Sequence, residues 1–159
     1  LVRQKRAEEY LMQALAIDYD LSFFDTDPYE PQPGGCMSIW PFTIGRFIEL
    51  PYTLVQDCTL VNILGESTPQ IWLDKVDFLA RHFGMALVNI HPDHLDSQTY
   101  KNILNRFLNE INCRDDCWKA LPREVARWWR ARSEAHAGTH DLRVSRGTLV
   151  LQQQALEVI

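Results

Sequence analysis

No stretch of this 159-residue chain approaches the roughly 20 consecutive apolar residues that a membrane-spanning helix needs. The opening L-V-R-Q-K-R-A-E-E-Y is basic and then acidic where a signal peptide turns apolar. The sequence therefore predicts a soluble chain with no membrane partner and no signal peptide in this stretch, its compartment unspecified. A basic face is lacking too. The formal net charge is −5, which argues against a nucleic-acid partner, because neutralising phosphates needs clustered Lys and Arg. Arg123, Arg127, Arg130 and Arg132 read instead as the solvated side of a helix. Cysteine is sparse: Cys36, Cys58, Cys113 and Cys117 stand at irregular spacing in a chain large enough to fold without staples. Neither a disulfide framework nor a zinc pair at 113 and 117 is expected. Internal repeats and low-complexity segments are missing as well. With 46% hydrophobic and 23% charged residues, what remains is a globular domain able to bury its own core. The first residue is Leu rather than Met, so the chain is expected to be a piece of a longer protein.

What is present alternates between helix and strand signals. Residues 6–16 carry an apolar side at Tyr10, Leu11, Ala14 and Leu15, and Ile17, Tyr19, Leu21 and Phe23 then alternate with polar residues as a strand does. From Phe24 to Ser38, three prolines, two glycines and three acids predict a long loop. Arg46 to Leu50 reads as a second extended stretch, followed by a helix-like run around Leu54 to Leu64 closed by Gly65. Ser67 or Thr68 is placed to cap a helix with Pro69 in its first turn, and Trp72, Val76, Leu79 and Phe83 follow at helical spacing before Gly84. Met85 to Ile90 is a nearly unbroken apolar run of strand length, predicting a parallel strand covered on both faces. A further helix starts at Asp96 or Ser97, with Tyr100, Ile103, Leu104, Phe107, Leu108 and Ile111 on one stripe. A last one opens at Leu121-Pro122-Arg123-Glu124 and passes through Trp128 and Trp129. The rhythm is that of an α/β domain built on parallel strands. The pattern weakens beyond Arg132, and residues 148–159 are ambiguous between strand and helix.

In α/β sheets and barrels, ligands sit at the carboxyl ends of strands, where loops bring polar groups to a solvent-accessible rim. Asp25 and Asp27 follow the first strand, Asp57 follows the second, and His91, Asp93 and His94 follow the third. Histidine, with an ordinary pKa of about 6.5, suits proton transfer near neutrality. Spacing alone also allows His91 to be satisfied by a loop carbonyl, or to share a metal with His94 and a nearby acid. It equally allows Asp25 and Asp27 to be turn formers and Asp57 to be a helix cap.

Four blocks in order add a resemblance: S-F-F-D-T-D-P-Y-E-P at 22–31, I-E-L-P-Y-T-L-V-Q-D at 48–57, M-A-L-V-N-I-H-P-D at 85–93 and A-L-P-R-E-V-A-R-W-W at 120–129. Together they resemble the C-terminal half of polysaccharide deacetylase-like proteins, the NodB-homology group of carbohydrate esterase family four and its allantoinase-like relatives. The resemblance implies the C-terminal part of a deformed (β/α) barrel over 1–132, with 133–159 as a peripheral tail. It also implies a hydrolase of carbohydrate metabolism acting on acetamide or related C–N bonds of an acetylated polysaccharide or a small amide. In that family one aspartate and two histidines hold a divalent ion, usually zinc. A histidine after a late strand protonates the leaving amine. His91 matches that acid, although Asn89 replaces the leucine commonly found two positions before it. Asp57 matches the acidic position that orients or charge-couples the histidine. Asp25 and Asp27 match an acidic loop at the groove edge, where substrate contact is expected together with Tyr29 and Trp40.

The family's T-F-D-D-type strand and H-x-x-x-H metal motif have no counterpart here. The resemblance thus implies that this chain alone binds no zinc and is inactive, a truncated portion whose N-terminal half lies elsewhere. Zinc brings the pKa of bound water from about 16 to about 7, so its loss forfeits on the order of 10 kcal/mol of nucleophile activation. The alternative is a non-enzymatic module that binds glycan by stacking sugars on Trp40, Tyr29 and Tyr52.

Overall fold

The structure is a computed structural model that describes residues 14–15, 17–25, 29, 35–94, 97–137, 143–145 and 148–150. Most of the helix expected over 6–16, and Asp27, lie outside these residues.

The sheet is organised by a tight reversal at Ile44-Gly45-Arg46. Gly45 takes φ +57°, a value that an L side chain disfavours and that fits the first central position of a two-residue hairpin turn. It joins β2 (Phe42–Ile44) to β3 (Phe47–Glu49) in antiparallel register, with Thr43 opposite Ile48. On the other side of β3 lies β1 (Tyr19–Asp20), parallel, with Tyr19 opposite Ile48 and Asp20 opposite Glu49. The order is β1-β3-β2. The sheet is therefore mixed rather than wholly parallel: residues 42–44 lie between the loop expected to end at Ser38 and the extended stretch expected to begin at Arg46, so the hairpin is not among the expected elements. Among the described residues the strands form no closed barrel.

Past β3 the parallel pairing continues: Leu50 N–H donates to Asp20 O (2.9 Å) and Tyr52 N–H to Phe23 O (2.9 Å), and Phe24 bridges Tyr52. The long loop returns tightly against this edge. At Gly35, φ +143°, a Cβ would stand 2.0 Å from the Asp25 carbonyl oxygen, so no larger residue fits.

On the opposite side, residues 85–91 run alongside 53–57 in the same direction. Thr53 and Leu54 N–H both donate to Leu87 O (2.9 and 3.0 Å), and Asp57 N–H donates to Asn89 O (3.4 Å). The Thr53 hydroxyl donates to Met85 O (2.7 Å) and accepts from Leu87 N–H (3.1 Å). A side chain thus stands where a backbone partner would be, so the segment is extended without forming a regular ladder. Nor is it covered on both faces: Ala86 and Asn89 are exposed and the residues between them are half-buried.

Among the described residues, three α-helices of a dozen residues or more flank this framework. Helix α1 (Gln70–Arg81) buries Trp72, Val76 and Leu79. Its first turn follows Pro69 without a side-chain cap from Ser67 or Thr68. Phe83, expected on the buried stripe, is 68% exposed with φ +53°, because the helix has already ended. Helix α2 (Gln98–Asn112) starts at Ser97, whose Oγ accepts from Tyr100 N–H, and buries Tyr100, Ile103 and Phe107, while Leu108 is exposed. Trp72 anchors the main core, its ring 5.0 Å from that of Phe107 and its indole N–H donating to Val55 O at 2.7 Å. Helix α3 (Pro122–Ala137) opens with Leu121 N–H donating to Glu124 Oε2 (2.7 Å) and sets Ala126 against Ile48 and Leu50 of the sheet. It runs past the boundary expected at 132. Two strands, β4 (Arg143–Ser145) and β5 (Thr148–Val150), pair antiparallel in the tail.

Candidate active site

The chain leaves the sheet at Val55-Gln56-Asp57 and winds into a wide helical turn, Thr59–Ile63, closed by Leu64 N–H donating to Thr59 O at 2.9 Å. Asp57 sits at this junction, fully buried. Because 85–91 lies alongside 53–57, the end of that segment delivers His91 to the same place. Oδ1 of Asp57 meets His91 Nδ1 at 2.6 Å and accepts from Cys58 N–H at 2.8 Å. Oδ2 accepts from His91 N–H at 2.6 Å and from the Tyr100 hydroxyl at 2.5 Å. One carboxylate thereby ties together the sheet exit, the end of the 85–91 segment and the first turn of α2.

Burial by itself pushes the Asp57 carboxyl up, but the Tyr100 hydroxyl, the His91 N–H and ring, and the Cys58 N–H outweigh it and hold the group below the usual carboxylate range. Tyr100 moves the other way. Burial raises its phenol, and the Asp57 charge raises it further, so it remains a proton donor. With Asp57 ionised and accepting, Nδ1 of His91 carries the proton, and exchange with a substrate falls to Nε2. The His91 side chain is 36% exposed, so the imidazole reaches solvent while its anchor does not. A buried carboxylate that orients a partly exposed imidazole is an arrangement that can serve general acid–base chemistry.

A second buried acid stands in the sheet. Glu49 Oε1 accepts from Phe23 N–H at 2.9 Å, while Oε2 has no hydrogen-bond partner among the described residues. Burial, opposed by the Phe23 N–H and reinforced by neighbouring Asp20, pushes its carboxyl up to about 7.

The other residues singled out from sequence make the following contacts. Asp25 is buried, its Oδ2 paired with Lys75 of α1 at 2.8 Å. Tyr29 and Trp40 are each 44% exposed. Trp40 donates its indole N–H to Phe83 O (3.0 Å), and neighbouring Ile39 O accepts from Met85 N–H (2.8 Å). That is the amino end of the 85–91 segment, and His91 lies six residues further on, about 20 Å for extended chain. Asp93 is exposed, and the His94 side chain lies outside the described residues. Sequence reasoning missed Tyr100 and Cys58. Tyr100 was read as one more apolar residue on the α2 stripe; the available signal was that a buried tyrosine needs a partner for its hydroxyl. Cys58 has no such signal, since it meets His91 only through the fold.

The family's ion calls for one aspartate and two histidines. Among the described residues the group of three possible ligands is Asp57, Cys58 and His91, which has one histidine and does not match. No family model, curated protein or solved structure matches the chain. Among the described residues no helix is long and apolar enough to cross a membrane.

Proposed function

We propose that this chain is a portion of a metal-dependent, polysaccharide deacetylase-like hydrolase of acetamide C–N bonds, to which it contributes the general acid. His91 gives its Nε2 proton to the departing amine nitrogen, and Asp57 holds the ring in the required tautomer and stabilises the imidazolium from which that proton leaves. Tyr100 keeps Asp57 ionised and in place. The observation that carries this reading is the 2.6 Å contact between a buried, ionised Asp57 and Nδ1 of a half-exposed His91. The metal motifs absent from the sequence leave the chain inactive by itself, with the ion and the N-terminal half of the barrel supplied from elsewhere.

The test is acetate release from acetylated chito-oligosaccharide by the full gene product containing this chain. His91→Ala is expected to lower turnover by roughly 10²- to 10⁴-fold. Equal rates in the two proteins would contradict the assignment, and saturable oligosaccharide binding without acetate release would favour the glycan-binding alternative.

A further inference from the structure

The Cys58 thiol stands beside the Asp57–His91 pair, and the proposed proton transfer does not use it. Its sulfur, a ring nitrogen of His91 and a carboxylate oxygen of Asp57 lie within 4.8 Å of one another. We propose that Cys58, His91 and Asp57 form a binding site for a thiophilic divalent cation, zinc above all, and that occupancy withdraws His91 from proton transfer. This inference rests on the proposed role of His91, adds a regulatory ligand to it, and departs from the expectation that this chain alone binds no zinc.

The chemistry of the donors supports the choice of ion. Sulfur, imidazole nitrogen and carboxylate oxygen together suit zinc, whereas magnesium and calcium prefer oxygen alone. Bond lengths of about 2.0 to 2.3 Å place tetrahedral ligands roughly 3.3 to 3.8 Å apart. The Asp57 Oδ1 to His91 Nδ1 distance of 2.6 Å has to widen, and any pair near the 4.8 Å limit has to close, by about 1 Å to meet that spacing. Asp57 and Cys58 are held by the sheet exit and His91 by its own N–H bond to Asp57, so the donors are presented by backbone already in place. His91 and Cys58 are both partly exposed, so the donors are not sealed from solvent. Binding forms a zinc–sulfur bond as the Cys58 S–H bond breaks, and that proton passes to solvent; where Nδ1 is the donor, its own proton moves to Nε2 and the bond to Asp57 Oδ1 opens. The site differs from the family's one-aspartate, two-histidine centre, because its thiol replaces a histidine and it contains the general acid itself.

The test uses the full chain with Cys36, Cys113 and Cys117 replaced by Ser, so that Cys58 is the remaining thiol. Cobalt(II) added as a zinc surrogate is expected to give a near-ultraviolet sulfur-to-cobalt charge-transfer band saturating at one equivalent and erased by zinc. Adding Cys58→Ser should abolish the band and weaken zinc at least about tenfold by calorimetry. Absence of the band from the folded three-serine protein would overturn the proposal, as would unchanged zinc affinity after Cys58→Ser. A full gene product that releases no acetate, or whose rate is unchanged by His91→Ala, would count against the proposed function alone and leave this spectral readout intact.

Discussion

The Tyr100 hydroxyl donates to Oδ2 of Asp57 at 2.5 Å, from the first turn of α2 to the exit of the sheet. Both groups are buried, so the bond is shielded from competing water. It joins two elements through a charged acceptor that His91 also uses.

Tyr100→Phe keeps the ring and deletes this bond. Hydrogen bonds to charged groups contribute about 1.5 to 3 kcal/mol, so denaturant unfolding should show a loss of that size. A loss below about 0.5 kcal/mol, the range of an ordinary surface substitution, would mean that Tyr100 does not brace Asp57.

Asp57 is held below the usual carboxylate range when folded and returns to it when unfolded. Its contribution to stability is therefore present above the ordinary carboxylate range and lost as pH falls through the lowered folded value. Asp57→Asn should flatten that acid limb in a series of thermal melts. A limb of unchanged steepness would show that other carboxylates produce it.

Glu49 acts in the opposite sense. Its carboxyl titrates at about 7 in the folded chain against an ordinary 4.5, so between these values the folded state holds the proton that the unfolded state has released. Stability should fall as pH rises across that window and then level off. Glu49→Gln, whose amide can face Asp20, is expected to remove the fall and to be the more stable protein at pH 8 by roughly 1 to 3 kcal/mol. Identical pH profiles for the two proteins would contradict the burial of an ionisable Glu49.

Much of the helical framework was legible because periodicity is a local property. Trp72, Val76 and Leu79, and Tyr100, Ile103 and Phe107, are the buried faces of α1 and α2 as their spacing implied. The Ser97 cap also follows from local chemistry. The failures share a physical cause, since each depends on what lies across space. The Ile44-Gly45-Arg46 reversal gains its meaning from pairing between β2 and β3. The apolar run 85–90 announces burial but not what covers it, and Ala86 and Asn89 are exposed. His91 and Asp57 were each singled out at a strand end, yet their contact depends on 85–91 lying parallel to 53–57. The direction of that segment also carries Trp40 to its other end, away from the histidine.

The claim on which the account turns is that Asp57 fixes His91 with its proton on Nδ1. Nitrogen-15 NMR of the histidine ring in this chain, recorded with the imidazole neutral, reads that directly. The account predicts a single Nδ1–H tautomer for His91 in the native protein and its loss in Asp57→Asn. An Nε2–H tautomer, or a ring averaged between the two forms and indifferent to Asp57→Asn, would contradict it.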